Sequence, residues 1–181
     1  MAGSAGDLFA AAQTLLAAAA AALEDAPAGP IDRMLVSQSA PVFDCAPQLS
    51  VHAGGPSIAD TYPLQPPLQP MQRIVSTGLV DLVLMTITVT RCVSKLGDDG
   101  QTITLPTPQA MTDDAEACYG DLWAIWNHLI KEHREGNLFQ SASKRREFTL
   151  EPAQPLNNGG GVGGWEIPVR FQIPGYGGGP S

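Results

Sequence analysis

The sequence predicts an α+β fold, in which an antiparallel β-sheet is packed by two main α-helices and carries extended Gly/Pro-rich loops and arms. Three observations lead to this prediction: an alanine-rich helical segment near the N-terminus, a long alternating segment from Gly78 to Ser94, and an aromatic helical segment followed by a second alternating segment. Helices and strands in separate runs are typical of this class, and 181 residues are expected to form one domain.

The first helix is predicted over residues 7–25. Leu15 and Leu23 recur at helical spacing among alanines, which have the highest helix propensity, and Pro27 ends the segment. Asp7 and the lack of a basic stretch before the apolar run argue against a signal peptide. The six consecutive alanines are too short a run to span a bilayer.

Short strands are predicted at residues 33–36, 42–45 and 48–52. Residues 54–77 then carry five prolines, which predicts an extended loop because proline lacks a backbone donor and is excluded from central strands. The longest strand is predicted over residues 78–94. Its apolar side chains point to one face of the sheet, and its threonines point to the other face, where they can meet water or another sheet edge.

A loop with a turn at Asp99 and Gly100 precedes the second helix, which is predicted over residues 113–133. Asp113 and Glu116 have the spacing of a capping box, so the helix is expected to begin there. Two strands and a flexible tail complete the domain, at residues 146–151, 165–173 and 174–181.

The predicted core lies on the second helix and on the last strand. Cys118 belongs to the apolar stripe of that helix and is expected to be a core residue rather than a nucleophile. Pro168 cannot donate a ladder hydrogen bond, so the last strand is expected to lie partly at a sheet edge. The predicted core residues are Trp126, Leu122, Ile125, Leu129, Ile167, Val169 and Phe171.

A glycine run before the last strand formally matches a dinucleotide-binding motif, G-x-G-x-x-G. In that motif the glycines open a helix whose N-terminus faces the phosphate, whereas here a strand follows them. The run is therefore interpreted as a flexible connector or as an arm that lies on an adjoining subunit or tail protein, formed by Gly159, Gly160, Gly161, Gly163 and Gly164.

No catalytic residue, metal site or cofactor is predicted. His128 and His133 are five residues apart, rather than the four that place two imidazoles on one helical face. The three cysteines, Cys45, Cys92 and Cys118, lie far apart without a C-x-x-C motif, and are expected to be reduced thiols of a protein made in a cytoplasm.

The net charge of −8 disfavours ordinary binding to DNA and suits a wall past which DNA must slide. Acidic residues expected to face such a lumen or a neighbouring subunit are Asp98, Asp99, Asp113, Asp114 and Glu116. The basic cluster is expected to pair with an acidic neighbouring subunit, with phosphate contact as the alternative, and consists of Lys144, Arg145 and Arg146.

Four stretches of the chain carry a resemblance: "PVFDCAPQLSVHAGG", "LVDLVLMTITVTRCV", "DLWAIWNHL" and "FTLEPAQPLNNGGGVGGWEIPVRFQI". Together with the alanine-rich helix before them, they resemble a family of small virion proteins from tailed phages of actinobacteria. The members of this family act at the junction of head and tail, as tail terminators or head-to-tail connector components. The resemblance covers roughly residues Leu8 to Ile173.

The resemblance implies a ring, typically a hexamer, that caps the tail tube and catalyses no reaction. The implied partners are further copies of the chain, the tail tube protein and the head–tail connector or stopper protein, with DNA as passing cargo and no membrane. The implied location is the neck of the virion, after assembly in the bacterial host cytoplasm. Alternatives are an adaptor or stopper, a tail-tube-like subunit, a ligand-binding or toxin-type module, and a small hydrolase using Cys118 and His128.

Overall fold

The α+β prediction is confirmed by the computed structural model, in which two α-helices pack on a mostly antiparallel six-stranded sheet. The predicted strand at 42–45, apart from the coil residue Asp44, and the tail at 174–181 lie outside the residues that the structure describes. The described residues are 5–38, 44, 46–59, 80–94, 97–98, 103–139, 148–156 and 161–172.

Two helices and eight strands form in the described part of the chain. The helices are α1 (Ala5–Glu24) and α2 (Pro108–Glu135). The strands are β1 (Arg33–Ser37), β2 (Gln48–Ala59), β3 (Val80–Cys92), β4 (Gly97–Asp98), β5 (Ile103–Thr104), β6 (Phe148–Leu150), β7 (Gln154–Pro155) and β8 (Val162–Gln172).

The main sheet has the order β1-β2-β3-β8-β6, and β7 also pairs with β8. β1 runs parallel to β2, while the other neighbours in this sheet are antiparallel. β4 and β5 form a separate antiparallel pair, where the sequence predicted a turn without a closing strand.

Both helices pack on the same face of the main sheet. α1 lies over β1 and β2, α2 lies over β3 and β8, and the two helices contact each other. Alternate residues of β2, β3 and β8 point into this layer because side chains alternate along a strand. The largest fully buried side chains are Phe171, Leu15, Leu23, Leu49, Met85, Ile87, Ile125, Leu129, Ile167, Val51 and Val83.

β2 continues into the segment that was predicted to be a loop. That prediction is wrong for residues 54–59, where Pro56 pairs with Val83 of β3. β1 ends at Ser37, opposite His52, so the other edge of β2 has no described neighbour at the proline. A proline is tolerated at such a position because no ladder hydrogen bond is required of it on that side. Residues 60–77 of the predicted loop lie outside the described residues.

β8 is an inner strand, so the prediction of an edge position is wrong. β3 lies on one side of β8, and β6 and β7 lie on the other side. Pro168 falls at the break between β6 and β7, where its carbonyl accepts a hydrogen bond from the Glu151 N–H at 2.9 Å. In an antiparallel ladder the N–H and C=O of one residue point to the same side, so the missing donor faces this break.

α2 begins at Pro108, five residues before the predicted start. The hydroxyl of Thr107 accepts a hydrogen bond from the N–H of Ala110 at 3.1 Å and caps the helix. Pro108 occupies the first helical turn, where its missing N–H needs no partner. The capping-box interpretation is therefore wrong: Asp113 lies inside the helix and accepts a hydrogen bond from the side chain of Gln109 at 2.6 Å.

The glycines interpreted as an arm are in part an ordinary piece of the sheet. Gly161 lies in a turn, and Gly163 and Gly164 are residues of β8 paired with β3. A Cβ atom at Gly164 would overlap the carbonyl oxygen of Val89, so only glycine permits this close approach of two strands. Gly159 and Gly160 lie outside the described residues.

A buried ion pair joins β3 to α2. The Nε and Nη2 atoms of Arg91 donate to the two carboxylate oxygens of Asp121 at 2.7 and 3.0 Å, and Asp121 is 1% exposed. Burial raises the pKa of Asp121, and the hydrogen bonds from Arg91 act in the opposite direction. The same guanidinium donates to the carbonyls of Ala28 and Gly29 at 3.0 and 2.5 Å. One side chain therefore connects β3, α2 and the segment between α1 and β1.

We expect Asp121→Asn to lower the free energy of unfolding at neutral pH by about 3–5 kcal/mol, because it leaves the partly buried Arg91 charge without its counter-ion. The measurement is urea unfolding followed by circular dichroism. Asp113→Asn, on the exposed surface of the same helix, is the matched control and should change stability by no more than about 0.5 kcal/mol. Equal effects of the two substitutions would contradict the role assigned to the pair.

Candidate functional site

An apolar row on the surface of α2 is the candidate functional site. Met111, Tyr119 and Trp123 are 58%, 54% and 58% exposed. They follow one another at multiples of four residues, with the exposed Ala115 between the first two and Trp126 after the last. Residues three and four apart share one face of a helix, so these five residues form a continuous row, named here the α2 stripe.

The stripe ends in an apolar groove of about 240 Å³ between α2 and the sheet. The Tyr119 ring extends one wall of the groove, because its centroid lies 5.3 Å from the centroid of the Trp165 ring. The indole N–H of Trp165 is buried and has no hydrogen-bond partner. Among the residues that the structure describes, the groove is lined by side chains without charge, namely Leu122, Trp123, Trp126, Ala153 and Trp165.

The groove also changes the assignment of two predicted core residues. Ile125 and Leu129 of α2 are fully buried. Ile167, Val169 and Phe171 of β8 are no more than 1% exposed. Leu122 and Trp126 are instead half-buried and line the groove. Sequence reasoning did not identify the α2 stripe, although the four-residue spacing from Met111 to Trp123 was available as a signal.

Two further exposed apolar side chains lie on the part of the molecule that α1 and β1 form. Phe9 of α1 is 53% exposed and Met34 of β1 is 48% exposed. β1 is the edge strand on which α1 packs, whereas α2 lies over β3 and β8. Phe9 and Met34, named here together the β1-edge patch, therefore lie on the same face of the sheet as the α2 stripe, but at the opposite end of the strand order.

The predicted charged residues are not brought together as one cluster. The side chain of Asp114 accepts a hydrogen bond from the Ser94 N–H at 2.6 Å and so holds the start of α2 against the end of β3. Asp113 and Glu116 are exposed on α2, and Asp98 lies in β4. Outside the described residues lie Asp99, Lys144, Arg145 and Arg146.

The face of the sheet opposite the helices is polar and partly buried. Thr88 and Thr90 are 1% exposed, so of the two expectations for the threonine face, water or another sheet edge, contact with water is wrong for these two residues. The Thr90 hydroxyl donates to the Gln48 carbonyl at 3.3 Å. Four buried polar atoms of this face have no hydrogen-bond partner: Gln48 Nε2, Ser50 Oγ, His52 Nδ1 and Thr88 Oγ1. Since Ser50 Oγ and His52 Nδ1 both lack a partner, they do not form the hydrogen-bonded nucleophile–base pair of a hydrolase.

The cysteines differ from the prediction of three reduced thiols. Cys92, the last residue of β3, is disulfide-bonded, and Cys118 of α2 is free. Cys45 lies outside the described residues. Burial raises the pKa of the Cys118 thiol, and the carboxylates of Asp121 and Asp114 raise it further. A thiol with a raised pKa forms less of the nucleophilic thiolate at neutral pH.

His52 gives the polar face a pH dependence. Burial lowers the pKa of His52 below its ordinary value of 6.5, and the Glu166 carboxylate acts in the opposite direction. Below pH 6.5 the unfolded chain therefore takes up a proton more readily than the folded chain does at this residue. The contribution of the neutral His52 side chain to the free energy of unfolding is complete above pH 6.5. It is lost as the pH falls through the lower pKa that His52 has in the folded state.

We expect His52→Gln to reduce the loss of unfolding free energy that occurs as the pH falls below 6.5. The measurement is a series of urea unfolding curves across this pH range. His128→Gln removes a histidine from α2 and leaves His52 in place, so it serves as the control. If both variants keep the slope of the unaltered protein, His52 is not its source.

In the part of the chain that the structure describes, no group of three or more His, Cys, Asp or Glu side chains is placed to hold a metal ion. Neither described helix combines the length and apolar character needed to cross a membrane.

A scan against protein-family models and a search of curated proteins returned no match to this chain.

Proposed function

We propose that the chain is a structural virion protein that assembles into a ring of identical copies, expected to be a hexamer, at the head–tail junction of a tailed phage. The ring terminates the tail tube and joins it to the head connector, and DNA passes through its lumen. Its partners are further copies of the chain, the tail tube protein and the connector or stopper protein. It performs no reaction.

The observation that carries this proposal is the pair of exposed apolar surfaces at opposite ends of the strand order of one sheet. The α2 stripe lies on the β3–β8 side, and the β1-edge patch lies on the side of the edge strand. A two-fold dimer buries the same patch of both copies, so one of the two surfaces would stay exposed. A head-to-tail contact buries both surfaces in every copy of a ring, and contacts of this kind form a ring when the rotation between neighbours closes.

Charge and cysteine chemistry are consistent with the same proposal. The net charge of −8 gives a lumen that repels the phosphates of passing DNA, and Asp113 and Glu116 are exposed acidic residues that can contribute to it. A disulfide at Cys92 persists in oxidising surroundings, which a released virion meets outside the host cell.

The hydrolase alternative was based on Cys118 and His128, which are too far apart on α2 to act together. Cys118 and His128 are ten residues apart on α2, which separates them by about 15 Å along the helix axis. A nucleophile and its base must lie within hydrogen-bonding distance. The raised pKa of the Cys118 thiol also disfavours its use as a nucleophile.

We expect the unaltered chain to form a closed ring of defined mass, alone or together with tail tube protein, and Trp123→Glu to remain monomeric. A charge at the centre of an apolar contact is expected to weaken it by about 2 kcal/mol or more. The measurement is analytical ultracentrifugation combined with native mass spectrometry. Thermal unfolding should be nearly unchanged because Trp123 is 58% exposed.

Gln109→Glu is the matched control for this test. It adds the same charge to an exposed position of α2 two residues before Met111, and residues two apart do not share a helix face. This variant is expected to assemble as the unaltered chain does. An unaltered chain that stays monomeric both alone and with tail tube protein contradicts the proposed ring.

Electron microscopy of particles that lack this protein separates the terminator from its nearest alternative. Because a terminator stops tube growth and provides the attachment to the head, its loss is expected to give overlong tubes without heads. Tails of normal length beside filled heads that leak DNA would instead identify a stopper.

A further inference from the structure

We draw no further inference here: the strongest candidate, the apolar groove between α2 and the sheet at Trp126 and Trp165, belongs to the candidate site already described, and nothing in the described part of the structure shows what covers it.

Discussion

The arrangement of this molecule depends on the buried contact between Arg91 and Asp121. A carboxylate that is 1% exposed is stable inside a protein only when its charge and its lone pairs are matched by close donors. The planar guanidinium supplies these donors in one geometry, and its remaining N–H groups bind the carbonyls of Ala28 and Gly29. The contact therefore fixes the rotation of α2 about its own axis. With Asp121 directed inward, Tyr119 and Trp123 are directed toward solvent.

The sheet shows how the same sequence accommodates two prolines within paired strands. Pro56 lies where β2 has passed the end of β1, and Pro168 lies where the partner of β8 changes from β6 to β7. Each proline thus lies where strand pairing requires no hydrogen bond from a backbone N–H, the group that proline lacks. The result is a continuous platform under both helices, although each proline alone predicts an edge or a loop. Continuity of this platform keeps the α2 stripe and the β1-edge patch at fixed relative positions.

Local sequence signals predicted most of the fold and little of the candidate site. Periodicity was sufficient for α1, β3 and the buried side of α2, because burial of apolar side chains follows the helical and strand repeats directly. It was insufficient for the partner of Arg91, since a side chain 30 residues away in the sequence is set by tertiary packing alone. The same limit applies to Trp126 and Trp165: an aromatic residue on an amphipathic element can face a core or a groove, and only the position of the neighbouring element distinguishes them.

The rigidity of α2 also bears on why an apolar stripe is useful at this position. Docking onto a mobile surface loses free energy to the ordering of side chains and backbone, whereas docking onto a preorganised surface does not. α2 is held by the buried pair at Asp121, by the hydrogen bond from Ser94 to Asp114 and by the fully buried Ile125 and Leu129. Its exposed aromatic rings therefore start from a fixed backbone, and Tyr119 is further restrained by contact with the Trp165 ring. Such a surface favours one partner geometry over others, which is the property that the proposed closed assembly of identical subunits requires.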